Sequence, residues 1–426
     1  MIGRAGTPRL RLLQRASLCL LLSVAIGCFS PEPPLEPHEA LAKAAQRIDR
    51  ILQEDRAYRE GPSETEPAQA PDDPNEVTFW FYAHPLISPL MLGGPVKLDS
   101  FKSAHPGRAG TPDVKLKAQF IGDWSVAIQK YTVSLAAGDL PDIGMVKRSW
   151  LARLIPSGRI IPLDAILPAE FLKDLRAPVR DTLSANGHLY AVPADGFCDV
   201  LYYNKDLIAD PPATWEELRA CGRKIRGGLQ AEEFPMGYAP FLESLWSAGG
   251  EVCTNAASSL ASSEAREALD FIISLRREKL THPAGALDPG AGMDLFVRGK
   301  VAMTVASSEF LGQMRKAPFA VGVAPIPGKT KPVSMLSDNA IVVFARYARA
   351  KQPAIASLID FLTGPEAQGE GSAPTRESVS KLAAVDPGLD QAFQAGRNTP
   401  LIPAWGAIES ELTRYLDLAY RWEPSK

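Results

Sequence analysis

The middle of the chain runs Val200-Leu201-Tyr202-Tyr203-Asn204-Lys205-Asp206-Leu207 and, shortly afterwards, Pro212-Ala213-Thr214-Trp215-Glu216-Glu217-Leu218. The first stretch begins with β-branched and aromatic residues, which predicts a buried strand over 200–203. The second begins a helix predicted over 214–225, because Thr214 suits an N-cap and Glu217 completes a capping box. A strand followed closely by a capped helix is typical of an α/β fold.

Strands and helices alternate in the same way on both sides of this unit. The run Val77-Thr78-Phe79-Trp80-Phe81-Tyr82, bounded by Asn75 and Pro85, predicts a buried strand that opens the folded part. Further strands are predicted over 115–121, 301–305 and 340–344. Further helices are predicted over 122–137, 262–279, 353–362 and 407–419. This alternation predicts α/β architecture with largely parallel sheets covered by helices on both faces.

The composition excludes two classes of protein. Lys and Arg number 46 and Asp and Glu 49, so the net charge of −3 provides no overall positive field to hold nucleic acid. Hydrophobic residues make up 46% and charged residues 22%, which is ordinary for a globular protein and excludes disorder throughout. The histidines never occur at the spacing of a zinc hydrolase motif, so no metal and no cofactor are expected.

The first 27 residues have the pattern of an export signal. A basic region precedes an apolar stretch over 16–26, which is too short to span a membrane because a spanning helix needs about 20 apolar residues. The sequence Ala25-Ile26-Gly27-Cys28 resembles the signal of bacterial lipoproteins. That resemblance implies that residues 1–27 are removed and that a lipid on Cys28 anchors the exported protein at a bacterial membrane. An ordinary cleaved signal peptide is the alternative.

Residues 28–75 are rich in Pro and Glu and are predicted to form a tether rather than a domain. A helix is predicted within it over 39–59, because Leu41, Ala45, Ile48 and Leu52 form an apolar stripe at heptad spacing. Two roles remain open for this helix. It is either a spacer lying on the globular body or a partner-binding helix near the membrane.

Three cysteines remain beyond the signal region and Cys28, at Cys198, Cys221 and Cys253. An odd number cannot pair completely within one chain. One disulfide between Cys221 and Cys253 and three free buried thiols both remain open.

A series of landmarks resembles the family 1 extracellular solute-binding proteins. The block around 201–218 is the most specific of them, and the resemblance covers about 77–420. The landmarks, in family order, are Trp124, Leu135-Ala136-Ala137-Gly138-Asp139-Leu140-Pro141-Asp142-Ile143, Trp150, Gly158-Arg159-Ile160-Ile161-Pro162-Leu163-Asp164, Gly187-His188-Leu189-Tyr190-Ala191-Val192-Pro193, the two stretches quoted at the start, Phe296-Val297-Arg298-Gly299-Lys300-Val301-Ala302-Met303, Phe361-Leu362-Thr363-Gly364-Pro365-Glu366-Ala367-Gln368 and Ile402-Pro403-Ala404-Trp405.

This resemblance implies the two-lobed type II fold of periplasmic binding proteins, with discontinuous lobes joined by hinge crossovers. The crossings are expected near 194–199, 323–326 and 371–374. Residues 76–194 and 326–371 would then form the first lobe, and residues 199–323 and 375–426 the second. The implied function is that of a monomeric, periplasmic receptor that captures a carbohydrate and delivers it to the permease of an ABC importer.

Candidate ligand contacts in the first lobe follow the predicted strands. Tyr82 and His84 come after the opening strand, and ligands of open α/β sheets bind beyond the carboxyl ends of strands. Lys147, Arg148 and Trp150 occupy the segment that contacts ligand in maltose-type members of the family. The residues there depart from the maltose-type pattern, so the resemblance does not identify the sugar.

Further candidates lie at the expected crossings. Phe197 and Asp199 belong to the first crossing, where Asp199 is either a ligand contact or a brace for the hinge. Asp338 and Asn339 precede the strand over 340–344 and are the expected polar partners of a sugar. Arg376 follows the third crossing.

The second lobe is expected to supply aromatic and acidic contacts. Tyr238 and Phe241, and Glu309 with Phe310, lie on segments that face the ligand in the resembling proteins. Trp405 is the preferred stacking platform, because a Trp on a short Pro-bounded loop is seldom needed for helix packing. Flat aromatic rings suit sugars, which present apolar faces beside a rim of hydroxyls.

Other functions remain as alternatives. The cargo could be ferric iron, another small anion or a polyamine, and the protein could be a lipid-anchored sensor or scaffold that has lost transport. Catalysis is not expected. Ser378-Val379-Ser380-Lys381 and Ser337-Asp338-Asn339 share elements with serine acyl-enzymes, but they occur in the wrong order.

Overall fold

A computed structural model gives the fold over residues 32–57, 73–88, 114–228, 234–254, 256–283, 288–365, 369–381 and 385–423. The predicted export signal and Cys28 lie outside these described residues. Within the described ranges, no helix combines the length and the apolar character needed to cross a membrane.

Every strand and helix predicted from the sequence is present, with ends shifted by a few residues. The helices are α1 (Pro37–Ala57), α2 (Trp124–Ala137), α3 (Leu151–Leu154), α4 (Ala169–Asp174), α5 (Ala177–Leu183), α6 (Trp215–Arg226), α7 (Phe241–Ser247), α8 (Ser263–Arg277), α9 (Pro289–Val297), α10 (Leu311–Met314), α11 (Gln352–Leu362), α12 (Glu377–Ser380), α13 (Pro387–Gln394) and α14 (Trp405–Arg421). The strands are β1 (Glu76–Phe81), β2 (Lys115–Phe120), β3 (Ile143–Lys147), β4 (Ser184–Ala185), β5 (His188–Leu189), β6 (Ala191–Pro193), β7 (Asp199–Asn204), β8 (Met303–Ser307), β9 (Val321–Ala324), β10 (Ser334–Met335), β11 (Asn339–Val343) and β12 (Gly396–Arg397).

Local sequence explains where the helices begin and end. The capping box predicted at Thr214 and Glu217 is formed at the start of α6. Helix α2 begins after Asp123, whose carboxylate accepts a hydrogen bond from the Val126 N–H, and ends at Gly138 with a φ of 73°. Glycine adopts this left-handed conformation without the steric cost of a Cβ.

The first lobe is built on a five-stranded sheet in the order β2-β1-β3-β11-β6. Strands β2, β1 and β3 are parallel, whereas β11 runs antiparallel to both β3 and β6. Strand β11 enters this lobe from a crossing, so it starts at the edge where β1, β3 and β6 end. That edge faces the cleft between the lobes.

The sheet of the second lobe differs from the prediction of largely parallel sheets. It has the order β8-β7-β9, and β7 is antiparallel to both neighbours. Strand β7 leaves the first crossing, and β9 runs back toward it, so the two must point in opposite directions. The α/β class is unaffected, because helices still pack around both sheets.

The crossing strands contact one another between the lobes. The first crossing, expected at 194–199, bridges Leu336 through Cys198. The second crossing therefore lies near Leu336 and not at the expected 323–326, which overlaps the end of β9 in the second lobe. The Ala373 N–H of the third segment donates to the Gly196 carbonyl at 3.0 Å. The hinge is therefore a bundle of adjacent extended segments.

The contacts shift two of the expected lobe boundaries. Residues 328–330 were expected in the first lobe, yet the Lys329 N–H and the Thr330 hydroxyl donate to Ser247 of the second lobe. The chain enters the first lobe only at 336–338. Helix α12, expected in the second lobe, is tied to the first by Asp174, which accepts from the Ser378 hydroxyl at 2.5 Å.

Helix α1 packs on the second lobe, which agrees with a helix lying on the globular body. Its apolar stripe is buried against α14 and α8, and Ile48 is 0% exposed. Polar contacts border the stripe: Arg47 Nε donates to Glu411 at 3.0 Å, and Asp49 accepts from the Ser258 N–H at 2.7 Å. This helix is thus a part of the second lobe rather than of a tether.

The three downstream cysteines are free thiols. Cys198 and Cys253 are buried, and Cys221 is half-buried. Of the two alternatives left open by the sequence, the structure corresponds to the unpaired one.

Candidate functional site

A hydrogen-bonded group of side chains lies where β1 and β3 end and β11 begins. The Tyr82 hydroxyl donates to Asn339 Oδ1 at 2.7 Å, and Lys147 Nζ donates to the same oxygen at 2.9 Å. Asn339 Nδ2 in turn donates to Asp195 Oδ2 at 3.0 Å. The structure therefore brings Tyr82, Lys147 and Asn339 together at the cleft edge of the first lobe.

His84 is buried behind this group and paired with Asp195. His84 Nδ1 accepts from the Ile87 N–H at 3.1 Å, so the proton is on Nε2, which donates to Asp195 Oδ2 at 2.8 Å. Asp195 also accepts from the Ser337 hydroxyl at 3.0 Å and from the Phe197 N–H at 2.9 Å. Because both ring nitrogens of His84 are engaged in these hydrogen bonds, His84 orients Asp195 at the first crossing. Phe197 is buried at the same crossing.

Arg148 spans the cleft at the end of β3. Its side chain is 3% exposed, and its Nη2 donates to the Thr399 carbonyl of the second lobe. Burial lowers the pKa of the guanidinium to about 10, while the nearby charge of Asp338 opposes that shift. Burial raises the pKa of Asp338, which accepts from the Ser149 N–H at 3.3 Å. Arg148 and Asp338 thus balance each other's charge in a poorly solvated site.

Aromatic rings line the same end of the first lobe. The Tyr82 ring lies 5.1 Å from that of Trp124, which lies 5.5 Å from Trp150 in an edge-to-face arrangement. Trp124 was not selected as a ligand contact from the sequence, but it is only half-buried and belongs to this group. The sequence signal that could have indicated this exposed position is that Trp124 begins a helix directly after Gly122 and Asp123.

The second lobe contributes a more acidic surface. Asp199 begins β7, and Tyr238 precedes α7; burial raises the pKa of the Tyr238 hydroxyl, and the charges of Glu243 and Asp199 add to this. Glu309 is exposed after β8, and Phe310 beside it packs half-buried against the core.

The structure leaves three predicted residues away from the cleft surface. Phe241 is 6% exposed in the core of the second lobe. Trp405 is 4% exposed because it begins α14 instead of lying on a loop, which places its ring in that same core. Arg376 forms ion pairs with Asp174 at 2.8 Å and Asp360 at 2.6 Å on the first lobe. These contacts explain why it does not reach the cleft.

A cavity of about 1330 Å³ opens beside Arg148 between the lobes. The first lobe contributes α3 and the end of α5, and the second lobe contributes the residues around α7, β10 and β12. Among the predicted residues, Arg148 lines this cavity. Residues that the sequence analysis did not select also line it, namely Leu151, Ile155, Asn186, Trp246, Lys331, Pro332, Gln391, Gln394, Arg397, Asn398 and Pro400.

Two charged groups on the cavity wall are held in ion pairs. Arg397 binds Glu251 at 2.8 Å and lies 4.5 Å from the centre of the Trp246 ring. Asp390 pairs with the buried Arg176 at 2.9 Å. The rest of the wall combines amides, hydroxyls and Leu, Ile and Pro side chains with Arg148, Asp181 and Lys331. Such a surface offers hydrogen bonds and apolar contact without a strong net charge.

The fragments that resembled a serine acyl-enzyme do not assemble. The Ser378 hydroxyl donates to Asp174 on the first lobe, whereas the Ser337 hydroxyl donates to Asp195 at the hinge. Within the described ranges, no group of three or more His, Cys, Asp and Glu side chains is arranged to hold a metal ion.

Two parts of the cavity wall were not selected from the sequence. Trp246 is only 2% exposed, yet it borders the cavity. The polar run Arg397-Asn398-Thr399 before α14 also lines it, and this run was the available sequence signal for a cleft loop.

Known proteins with the same organisation were found by sequence and by fold. The model of the bacterial extracellular solute-binding proteins matches residues 101–369. A putative binding protein of Brucella abortus is 28% identical over 70% of this chain and 79% of its own length. The maltotriose-binding protein of Pyrococcus abyssi is 23% identical over 74% of this chain and 73% of its own length.

The sugar-binding protein MalE of Xanthomonas citri superposes with a TM-score of 0.68 at 19% identity, over 80% of this chain and 92% of that one. This likeness shows the shared two-lobed type II fold. With the family match covering more than half of the sequence, the chain belongs to the bacterial extracellular solute-binding proteins.

Proposed function

We propose that this chain is the substrate-binding receptor of an ABC importer and that it captures a neutral oligosaccharide between its lobes. The observation that carries the proposal is the cavity of about 1330 Å³, which has walls from both lobes and in which Arg397 and Asp390 are already held in ion pairs. Family membership implies an exported protein, and binding without chemistry is the function of such receptors.

The size of the cavity favours more than one sugar unit. Sites for drug-sized ligands enclose roughly 300–1,000 Å³. The cavity here is larger, at about 1330 Å³. Maltotriose is named as the ligand of the Pyrococcus relative, which supports a carbohydrate cargo.

The charges on the wall argue against the other cargoes. A small anion would favour a buried cation without a counter-charge, but Arg397 is held by Glu251 and the buried Arg148 faces Asp338, which leaves Lys331 at the exposed rim. A polyamine would favour several free carboxylates, but Asp390 is held by Arg176, which leaves the exposed Asp181 as the other carboxylate of the wall. A neutral ligand meets no such competition, because amides and hydroxyls exchange hydrogen bonds without separating ion pairs.

Closure of the two lobes over the sugar would complete the contacts. Arg148 of the first lobe lies next to Thr399 of the second, so a ligand in the cavity can contact both sides of the cleft. Binding would therefore shift the population toward the closed form, which the permease would receive. We also propose that a lipid on Cys28 anchors the receptor, with residues 29–36 joining it to α1.

A panel of ligands tests the cargo. We expect neutral oligosaccharides to raise the melting temperature and to change tryptophan fluorescence, because Trp246 borders the cavity. At 100 times its Kd, a ligand adds about 2.7 kcal/mol to the free energy of unfolding. The matched controls are sn-glycerol 3-phosphate, spermidine and ferric iron. A shift from one of these, with none from any carbohydrate, would contradict the proposal.

A further inference from the structure

A fully buried arginine joins the first lobe to one wall of the cavity. Arg176 is 1% exposed at the start of α5. Its backbone N–H donates to the Thr375 carbonyl at 3.1 Å, and its Nη1 donates to the Pro374 carbonyl of the third crossing at 3.0 Å. The other side of the guanidinium faces α13, where Nη2 lies 2.9 Å from Asp390 Oδ1. Arg176 therefore connects three separate parts of the chain.

Helix α13 packs on β9 of the second lobe and lines the cavity. Gly388 lies so close to β9 that a Cβ there would overlap the Val323 carbonyl. Asp390 and Gln394 are four positions apart, so they share one face of the helix, and both line the cavity. Arg176 is not among the described residues of the cavity wall. It can therefore affect a ligand there only through the residues of α13 that it holds.

One orientation of the Gln394 amide suits the donors of Arg176. With its oxygen toward the guanidinium, the amide accepts from Arg176 Nε at 3.2 Å, whereas the reverse orientation sets its NH2 against the N–H groups of the arginine. A guanidinium has no acceptor, and an amide has one acceptor side and one donor side. The guanidinium carbon also lies 4.6 Å from the centre of the Phe393 ring, which supports its plane. Arg176 thus occupies the oxygen of Gln394 and leaves its two N–H donors.

We infer that Arg176 is a positioning residue that orients Gln394 so that the amide presents N–H donors, and not its oxygen, to a ligand in the cavity. The inference rests on the proposed function in that the ligand is a carbohydrate, whose hydroxyl oxygens accept such hydrogen bonds. Asp390 balances the buried charge of Arg176, so the guanidinium needs no ligand to stay in place. The planar fork of arginine serves a carbonyl, a carboxylate and an amide at once, which the single nitrogen of lysine does not.

Hydrogen–deuterium exchange of the ligand-free protein tests whether Arg176 holds α13. Arg176→Lys keeps the charge but loses the fork, so we expect the backbone amides of α13 to exchange at least about threefold faster. Arg376→Lys is the matched control, because Arg376 also forms ion pairs and lies 4.7 Å from the centre of a ring, that of Phe171, but on the first lobe away from the cavity. It should leave the exchange of α13 unchanged. Unchanged exchange of α13 in Arg176→Lys would overturn the inference whatever the cargo is.

Calorimetric titration with maltotriose, and with the oligosaccharide that the panel selects if that is another, tests the orientation of the amide. Gln394→Glu keeps an oxygen toward Arg176 but removes the N–H donors, so we expect it to fold like the wild type and to bind about tenfold more weakly. Gln391→Glu is the control, because it adds the same charge to the exposed neighbouring part of the wall. Its loss should be clearly smaller. Equal losses in both variants, or wild-type affinity in Gln394→Glu, would contradict the inference.

The double variant separates positioning from a merely structural role. Arg176→Lys and Gln394→Glu act on the same donor, so their combined loss of affinity is expected to be smaller than the product of the two single losses. Independent, multiplicative losses would mean that Arg176 does not act through Gln394. If Arg176→Lys does not fold, Gln394→Glu beside Gln391→Glu still decides the orientation. If no carbohydrate binds at all, the proposed function fails, while the exchange of α13 in the ligand-free protein still tests the role of Arg176.

Discussion

Replacing Arg148 with methionine is expected to weaken carbohydrate binding by about 30-fold or more. A hydrogen bond made by a charged group contributes about 1.5–3 kcal/mol, and each 1.4 kcal/mol is tenfold in affinity. Arg148 lines the cavity, donates to Thr399 across the cleft and faces Asp338. Its loss would remove the hydrogen bond to Thr399 and leave Lys147 as the nearby cation of Asp338. Titration calorimetry with the sugar found in the panel measures the effect.

Lys331→Met is the matched control for Arg148→Met. Lys331 lines the same cavity but is exposed at its rim, where a charge contributes little. We expect its dissociation constant to remain within about threefold of wild type, which corresponds to less than 1 kcal/mol. Equal losses in both variants would show that Arg148 contributes only general positive charge and no specific contact.

Ile48→Ala is expected to lower the free energy of unfolding by about 2–5 kcal/mol, the range for removing a buried Ile side chain. Ile48 is 0% exposed between α1 and the helices of the second lobe. The change leaves a cavity in the core on which α1, α8 and α14 pack. Urea denaturation followed by circular dichroism measures the loss.

Two comparisons separate this prediction from a general effect of mutating α1. Gln46→Ala changes an exposed residue of the same helix and is expected to stay within about 0.5 kcal/mol of wild type. Carbohydrate affinity measured well below the melting temperature should be unchanged in Ile48→Ala, because the helix lies on the second lobe and does not line the cavity. A loss no larger than that of Gln46→Ala would mean that α1 is not docked in solution.

Local patterns predicted most of the fold. The capping box at Thr214 and the strand over 76–81 depend on a few neighbouring residues, so the sequence was sufficient for them. Local patterns did not predict the antiparallel sheet of the second lobe. They also did not predict the position, near 336–338, at which the chain enters the first lobe. They depend on distant partners, such as Ser247 holding Lys329 and Thr330.

In the candidate site, too, local patterns placed some residues, whereas distant contacts placed others. Tyr82, Lys147 and Asn339 meet because they occupy the ends of neighbouring strands, which strand prediction can anticipate. Trp405 and Arg376 could not be placed, because a helix that begins two residues earlier than predicted buries the first and two distant carboxylates hold the second.

Small-angle X-ray scattering with and without the bound sugar tests the central claim, that two lobes close over a carbohydrate and release it unaltered. With the oligosaccharide selected by the panel, we predict a smaller radius of gyration, which returns to the ligand-free value after dialysis, with the sugar recovered intact. An unchanged scattering profile at saturating sugar, or recovery of a cleaved sugar, would contradict the account.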